Sequence, residues 1–348
     1  MRRFDYSFIK KLRISTGALT LTNKMELLRF KADDRKNDNL DIFSALESLA
    51  RIQSVKGSNE IEGIITTDER IERIVNENSA PLNHNEEEIA GYRDALDMIH
   101  SNHNEYEVSE KDILNMHRIM LSHTRMEGGV YKKKNNLIIS ETPDGVREVV
   151  FTPVSHEETP GSMEQLILAY EDASCDSGID PIILMPCFIL DFLCVHPFID
   201  GNGRVSRLLS LLMMYKNGID IGKYISFEGQ ISKNKKGYYE ALRRSSKDWY
   251  TGENDYVPFI ENFIFTLYSC YRDLDRRFDV IENKKINKGN RIEAAVMNNF
   301  GSISKKEIKE LLPDVSLTTI EAKLSELLKA GKIKKIGTYT NARYKGNK

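Results

Sequence analysis

The stretch CVHPFIDGNGRVSRLL, residues 194–209, decides how this chain is read. An apolar series over residues 182–195 precedes it, with the length and spacing of a buried helix that delivers His196 to its end. A tight polar turn follows, Asp200-Gly201-Asn202-Gly203, and a second apolar helix begins near Arg204 and is stopped by Gly218. Each residue type here has a physical use. Two glycines permit positive φ and let successive backbone N–H groups face inward. The free N–H groups and dipole at the start of the second helix form an anion site. Arg204 and Arg207 are spaced i, i+3 and project from one side of its first turn. Two guanidinium forks beside an amide nest suit a polyphosphate better than a lone carboxylate. Asp200 beside such phosphates is an oxygen ligand for Mg²⁺. His196 titrates near neutral pH and is a natural general base for a hydroxyl. Taken singly, each feature has a plain reading as a capped terminus, a common turn or a solvated arginine. Their conjunction within 12 residues argues for a site. The GxxxxGK[ST] loop is absent, and Ser206 stands where a dinucleotide fingerprint has its third glycine.

Working outward, the first 280 residues read mostly as helix. Residues 41–52 and 87–99 carry apolar positions at helical spacing. Ser109-x-x-Asp112 caps the apolar series Ile113, Met116, Ile119, Met120. Between Gly128 and Pro153 the texture changes. Residues 137–140 and 146–152 are β-rich and flank Pro143-Asp144-Gly145, which predicts a hairpin. Helices resume at 163–170, 238–246 and 256–275. With 40% hydrophobic and 29% charged residues the chain has material for a real core, which excludes wholesale disorder. No apolar run is long enough for a membrane span. The opening MRRFDYSFIKKLR lacks the apolar run of a secretory signal, and four scattered cysteines make no disulfide framework. A cytoplasmic protein with no membrane partner is the expectation, with Cys187 and Cys194 as reduced core residues.

The formal net charge is −2, but residues 283–348 hold 15 Lys/Arg against 6 Asp/Glu. That change of sign marks a separate basic module. Residues 284–290 read as a polar linker. Ser304-x-x-Glu307 and Thr318-x-x-Glu321 then open two short helices, ended by Pro313 and Gly331. Residues 332–336 and 342–344 form a strand pair around the tip at 337–341. Helix, turn, helix and hairpin is the layout of a winged helix. Its basic balance favours DNA. Glu321 and Glu326 on the expected reading helix favour docking on a target or on the core instead, and both readings stay open.

The motif His196-Pro-Phe-Ile-Asp200-Gly-Asn-Gly-Arg204-x-x-Arg207 resembles, at every defined position, the HxFx[D/E]GNGRxxR signature of the Fic (filamentation-induced-by-cAMP) family. Gly129-Val-Tyr131, the hairpin and Thr152-Pro153 look like that family's flap. Lys132 stands where many members have Arg. His117 falls in the helix the family places before the flap, Tyr238-Tyr239 resembles a tyrosine pair that follows the motif, and the winged helix is a common companion. The similarity spans about residues 40–348. It implies a mainly α fold: a helical region over 1–105, a Fic core with a β-hairpin flap over 106–280, and a small C-terminal winged helix over 284–348. It also implies transfer of AMP from ATP to a Ser, Thr or Tyr hydroxyl of a target protein. His196 would be the base and Asp200 the Mg²⁺ ligand. Gly201, Asn202 and Gly203 would cradle the phosphates, Arg204 and Arg207 would bind the β- and γ-phosphates, and Tyr238 and Tyr239 would border the nucleotide. The flap would pair with the target's extended backbone.

Ser58-Asn-Glu-Ile-Glu62-Gly63 matches the family's inhibitory signature [S/T]xxxE[G/N]. The resemblance implies a helix near 54–64 whose Glu62 pairs with Arg207 and takes the γ-phosphate's place. Other readings remain: a DNA-binding regulator with a nucleotide-sensing core, another nucleotide donor, or removal of AMP. Self-modification and oligomer formation are compatible with the motif. His100 and His103 are read as surface histidines without a metal. Trp249 and Tyr250 pack under the nucleotide site or only under the core, and Asn234 and Asn254 are candidate adenine contacts.

Overall fold

The computed structural model describes residues 2–141, 147–282, 288–297, 302–337 and 342–347. Among these the chain is mainly helical, as the sequence predicts. The N-terminal helices are α1 (Thr16–Asp38), α2 (Leu40–Ile61), α3 (Asp68–Glu77), α4 (His84–Asn102) and α5 (Glu110–Met120). A hairpin follows, β1 (Ile138–Glu141) and β2 (Arg147–Phe151). Then come α6 (Thr159–Ser174), α7 (Pro181–Val195), α8 (Asn202–Lys216), α9 (Phe227–Lys233), α10 (Lys235–Ser246) and α11 (Val257–Glu282). The chain ends with α12 (Lys288–Met297), β3 (Ile303–Ser304), α13 (Lys305–Leu311), α14 (Leu317–Lys329), β4 (Ile333–Ile336) and β5 (Arg343–Gly346). Two compact units result: Met1–Lys24 with Ala50–Cys270, and Met25–Leu49 with Tyr271–Lys348.

In the first unit α7 and α8 are the central pair. Almost every residue of both is buried, whichever way it points. A helix apolar on all sides must be surrounded, and α4, α5, α6 and α10 pack around this pair. Asp180 caps α7 by accepting from the Ile182 N–H at 2.8 Å, with Pro181 in the first turn. Asp191 lies fully buried on α7 and accepts from Tyr6 Oη (2.9 Å), Tyr256 Oη (2.9 Å) and Trp249 Nε1 (2.6 Å). Burial pushes its pKa up, against the pull of Arg2 and these three donors. Arg2 donates to the Trp249 carbonyl and stacks over its ring, so the N-terminal segment is part of this core. Trp249 is thus a core residue under α7. Tyr250 instead braces the hairpin, stacked on Phe151 with its hydroxyl on the Thr152 carbonyl at 2.9 Å.

The hairpin forms where expected, antiparallel with Ile139 opposite Val149 and Ser140 opposite Glu148. Its predicted turn at 142–146 lies outside the described residues. Ser109 caps α5 as read, accepting from the Asp112 N–H at 3.2 Å. His100 and His103 correct their surface reading. Both lie partly buried with their edges against Tyr215, 5.6 and 5.4 Å away, and burial lowers the His100 pKa to about 3.

In the second unit Ile292, Val296, Ile308, Leu312, Ile320, Leu324, Ile333 and Tyr344 share one core. The strands pair in the order β3-β5-β4. Ser304 and Glu307 make the expected capping box. The next helix starts earlier than its motif suggests. Ser316, not Thr318, is the cap, accepting from the Thr319 N–H at 3.2 Å. Residues 288–290 of the expected linker open α12, because Ile292, Ala295 and Val296 give that helix a buried face. Residues 284–287 and most of the expected hairpin tip, 338–341, lie outside the described residues.

One close approach in the first unit is testable. At Gly91 on α4 an added Cβ would meet the Met120 carbonyl at the end of α5. On an exposed helix Gly→Ala stabilises by roughly 1 kcal/mol. Here Gly91→Ala forces overpacking and should cost about 1–3 kcal/mol, read as a lower urea midpoint. A raised midpoint would disprove the contact.

Candidate active site

His196 is the C-cap of α7 and adopts the left-handed conformation, φ 52° and ψ 60°, with its N–H on the Phe192 carbonyl at 2.9 Å. That turn ends the helix as a cap glycine would, in a residue with a Cβ. The imidazole Nδ1 lies 3.2 Å from the Leu193 carbonyl, which can only accept. Nδ1 therefore carries the proton and Nε2 the free lone pair. Burial lowers the His196 pKa to about 4, so the ring is neutral at pH 7.

The polar turn that follows is clamped by its own residues. Asn202 accepts from the Phe198 N–H at 2.9 Å and donates to the Phe198 carbonyl at 2.8 Å, closing the loop on itself. His117, stacked on Phe198 with ring centres 3.7 Å apart, accepts from the Gly129 N–H at Nδ1 (3.0 Å). Its Nε2 therefore donates to the Asp200 carbonyl at 3.2 Å. Burial lowers its pKa to about 4, which keeps both roles fixed. Gly201, at φ 83°, opens α8.

Arg207 on α8 is 2% exposed. Its Nε donates to Ser58 Oγ (2.8 Å), and one terminal nitrogen donates to the Ser58 carbonyl (3.0 Å) and to Glu62 Oε1 (2.8 Å). Burial works against its charge, but Glu62, Tyr238 and Tyr92 hold its pKa above the ordinary arginine value. The Glu62 carboxylate also presses on Gly203, where an added Cβ would collide with Oε1. It thus lies over the first turn of α8, where free N–H groups favour an anion. The chain reaches this position because α2 ends at Ile61 and Gly63, at φ 81°, turns it away directly after Glu62. Further back, Ser54 donates to the buried Glu228 at 2.8 Å, as does Tyr92 at 2.9 Å. Gly57 on the same helix meets the backbone of Gly229, where a Cβ would come within 2.9 Å of its nitrogen.

Glu62, His196, Gly203, Arg207, Tyr238 and Tyr239 line one cavity of about 780 Å³, closed on one side by Ile138, Ile139, Val150 and Phe151 of the hairpin. Tyr238 and Tyr239 meet edge to face at 5.5 Å, and burial raises the Tyr238 pKa to about 12. Arg204 is turned elsewhere. It is 1% exposed, with one nitrogen 2.5 Å from Glu88 on α4 and another 3.1 Å from the Asp200 carboxylate. Asp200 is half exposed and lines a second hollow of about 240 Å³ with His117, Tyr131 and Ile199. Neither Asn234 nor Asn254 borders the large cavity. Asn234 adjoins Gly237 at the start of α10, and Asn254 donates to the Ser245 carbonyl at 3.2 Å. Among the described residues no group of three His, Cys, Asp or Glu converges on one point. A lone half-exposed carboxylate still fits Mg²⁺, whose other ligands are commonly phosphate oxygens and water. Glu88 and Glu228 escaped the sequence reading because no local motif marks them. Both sit in ordinary helical patterns, and only the fold brings Glu88 to Arg204 and Glu228 to Ser54 and Tyr92.

Residues 107–214 match the family model described as Fic/DOC family. The protein adenylyltransferase Fic of Drosophila willistoni is 30% identical over 158 residues, which cover 44% of this chain and 26% of that protein. Its counterpart in Drosophila ananassae is 29% identical over 158 residues, 44% of this chain and 27% of that protein. The chain thus spans about a quarter of the length of these curated relatives. Among solved structures, a Fic family protein from Desulfovibrio desulfuricans G20 superposes with a TM-score of 0.60 at 19% identity over 97% of each chain. A Fic domain containing signaling protein from Bacteroides thetaiotaomicron VPI-5482 gives 0.55 at 20% identity, over 74% of this chain and 96% of the other. These structures share the fold, and the stretch that matches the Fic/DOC family model, residues 107–214, contains the motif at 196–207.

Proposed function

We propose that this protein is an adenylyltransferase that moves AMP from ATP to a hydroxyl of a target protein and holds itself inactive through Glu62. The observation that carries the reading is the meeting, in one cavity, of a neutral His196 base, the start of α8, and a buried Arg207 already paired with a carboxylate. His196 Nε2 takes the hydroxyl proton as the oxygen bonds to the α-phosphorus. The bond from that phosphorus to the β-bridging oxygen breaks, and pyrophosphate leaves. The α8 N–H groups stabilise the charge that develops. Asp200 would hold Mg²⁺, which neutralises phosphate charge when bound. The exposed hairpin residues Ile139 and Val149 offer an edge for an extended target segment. Glu62 occupies Arg207 and the α8 terminus, which a γ-phosphate would need for ATP to settle in the reactive pose. The same cavity would accept another nucleoside triphosphate, or an AMP-modified chain for removal. Intact-mass analysis with Mg²⁺ and each nucleotide separates these, and an added AMP from ATP is the expected result.

The C-terminal unit is read as a winged helix from its order of helix, short strand, two helices and hairpin. Glu321 pairs with Lys305 at 2.7 Å and Glu326 with Lys323 at 2.6 Å, which leaves a mixed face on α14. That face favours docking on a protein over reading bases in an anionic groove.

Glu62→Gly should raise AMP transfer, self-modification included, by about tenfold or more, which asks about 1.4 kcal/mol of one charged contact. Arg207→Ala in that background should reverse the gain, because the γ-phosphate loses its anchor. If the folded Glu62→Gly protein works no faster than the parent, the carboxylate is not the brake.

His196→Ala should abolish transfer and leave ATP binding largely intact, read by calorimetry beside the mass assay. The pH profile carries a sharper expectation. Because the folded pKa is lowered to about 4, the base form persists well below the ordinary histidine range. In Glu62→Gly protein the acid limb of kcat/KM should therefore lie well below pH 6. Loss of Glu62 removes a negative charge that raises this pKa, so the limb moves no higher. A limb near 6.5 would contradict the burial argument.

Asp200→Ala should cut activity steeply, and added Mg²⁺ should restore little, since the carboxylate positions the ion as well as attracting it. Full activity in EDTA would remove the metal from the scheme.

A further inference from the structure

His196 holds a left-handed conformation that costs a residue with a Cβ roughly 1–2 kcal/mol. Something must over-determine it. The groups that do so come from the segment between α5 and β1. The Lys132 N–H donates to the Pro197 carbonyl at 2.8 Å. Its ammonium donates to the Val195 carbonyl at 3.2 Å and to Asn136 Oδ1 at 3.1 Å. Asn136 in turn donates to the Phe198 carbonyl at 3.1 Å. The carbonyls of residues 195, 197 and 198, on both sides of His196, are thus held from one short segment.

The side chain that does most of this is expensive to place there. Lys132 is 3% exposed, and among the described residues no carboxylate is ion-paired to it. Desolvation lowers its pKa to about 8, so it remains largely charged at pH 7. The last carbonyls of a helix lack intrahelical partners and lie at the negative end of its dipole, which is where a cation is best placed. A lysine serving only to fill space would not need its charge.

We propose that Lys132 is a positioning residue for His196: its buried ammonium locks the end of α7, aims Nε2 into the cavity, and sets a positive charge beside the imidazole. The kinetic part rests on the adenylyl-transfer reading, and the geometric part does not. Three charged groups act on the imidazole. Lys132 disfavours its protonation, while Glu62 on α2 and Asp200 in the polar turn favour it. Removing the lysine charge leaves the two carboxylates unopposed.

The test uses the full chain with two independent readouts. In the Glu62→Gly background, Lys132→Met should lower kcat about tenfold or more, because a displaced base is a poor one. KM for ATP should stay within about twofold, since Lys132 does not line the nucleotide cavity. Lys132→Arg, which keeps a cation at the Val195 carbonyl, should recover most of the rate. Separately, a ¹⁵N imidazole NMR titration, assigned with His196→Ala, should show the His196 pKa displaced upward in Lys132→Met and close to the parent in Lys132→Arg. Lys132→Gln, which can still donate but has no charge, should show the same upward displacement. It serves if the Met variant is too unstable to titrate. An unmoved His196 pKa in folded Met or Gln protein, or a kcat equal to the parent's, overturns the proposal. If Glu62→Gly itself transfers no AMP, the activity reading fails instead, and the titration alone decides the role of Lys132.

Discussion

A guanidinium keeps its proton at any physiological pH, so an arginine buried inside a protein must be met by acceptors. Arg207 is such a residue, and its acceptors come from α2: the Ser58 hydroxyl, the Ser58 carbonyl and the Glu62 carboxylate. Much of the surrounding structure follows from that demand. Helix α2 has to approach α8 closely enough to offer a main-chain carbonyl, and it has to stop one turn later so that Glu62 can face inward. Gly57 permits the approach to the backbone of Gly229, and Gly63 supplies the stop. The hydroxyls of Ser54 and Tyr92 on Glu228 anchor the same helix one turn earlier. Breaking one partner of a buried pair leaves an uncompensated charge, which holds Glu62 and Arg207 together.

The loop between α7 and α8 is held in a different way. Its backbone is irregular and buried at Pro197, Phe198 and Gly201, and irregular backbone inside a protein needs partners supplied by side chains. Asn202 satisfies Phe198 from within the loop. His117 reaches the Asp200 carbonyl from α5, and Lys132 and Asn136 reach the carbonyls around His196 from the hairpin side. None of these four side chains lines the large cavity. They decide whether the histidine lone pair and the first turn of α8 face one cavity. Precision of this kind comes from the supporting hydrogen bonds rather than from the reacting group.

What was legible in the sequence follows the range of the interactions. Residues 196–207 stood out because the residue types of the proposed anion site, turn and base are neighbours in the chain. The Ser304 capping box was legible for the same reason. The pairing of Glu62 with Arg207 was legible only through a resemblance, since nothing in a short acidic segment says which distant arginine it meets. Arg204 shows where the local reading stops. Its spacing from Arg207 suggests a shared task, yet the fold supplies Glu88 from α4, and Arg204 turns to it and to Asp200. Thr318 failed as a cap for a simpler reason. Ser316 two residues earlier offers the same chemistry, and the buried Ile320 and Leu324 admit either start. The first turn of α12 reads as linker by composition and becomes helix because one face of that helix is buried in the C-terminal core.

Two of the buried cations around this site, Arg207 and Lys132, divide the work according to their chemistry. Arg207 has a planar fork and a fixed charge, and it accepts either a carboxylate or a phosphate without changing its own state. That suits the proposed exchange of one anion for another of higher charge. Lys132 is a compact ammonium whose charge depends on its surroundings, and burial has already brought its pKa to about 8. That suits a position where charge acts on a neighbour rather than on a ligand. The demand for one particular cation is strictest at 207. A lysine at 207 could not reach the Ser58 hydroxyl, the Ser58 carbonyl and Glu62 in one plane. An arginine at 132 would keep a cation at the Val195 carbonyl. The proposed brake and the proposed base are thus separable. Displacing Glu62 changes what Arg207 holds, while the clamp on His196 stays made by different atoms on the other side of the loop.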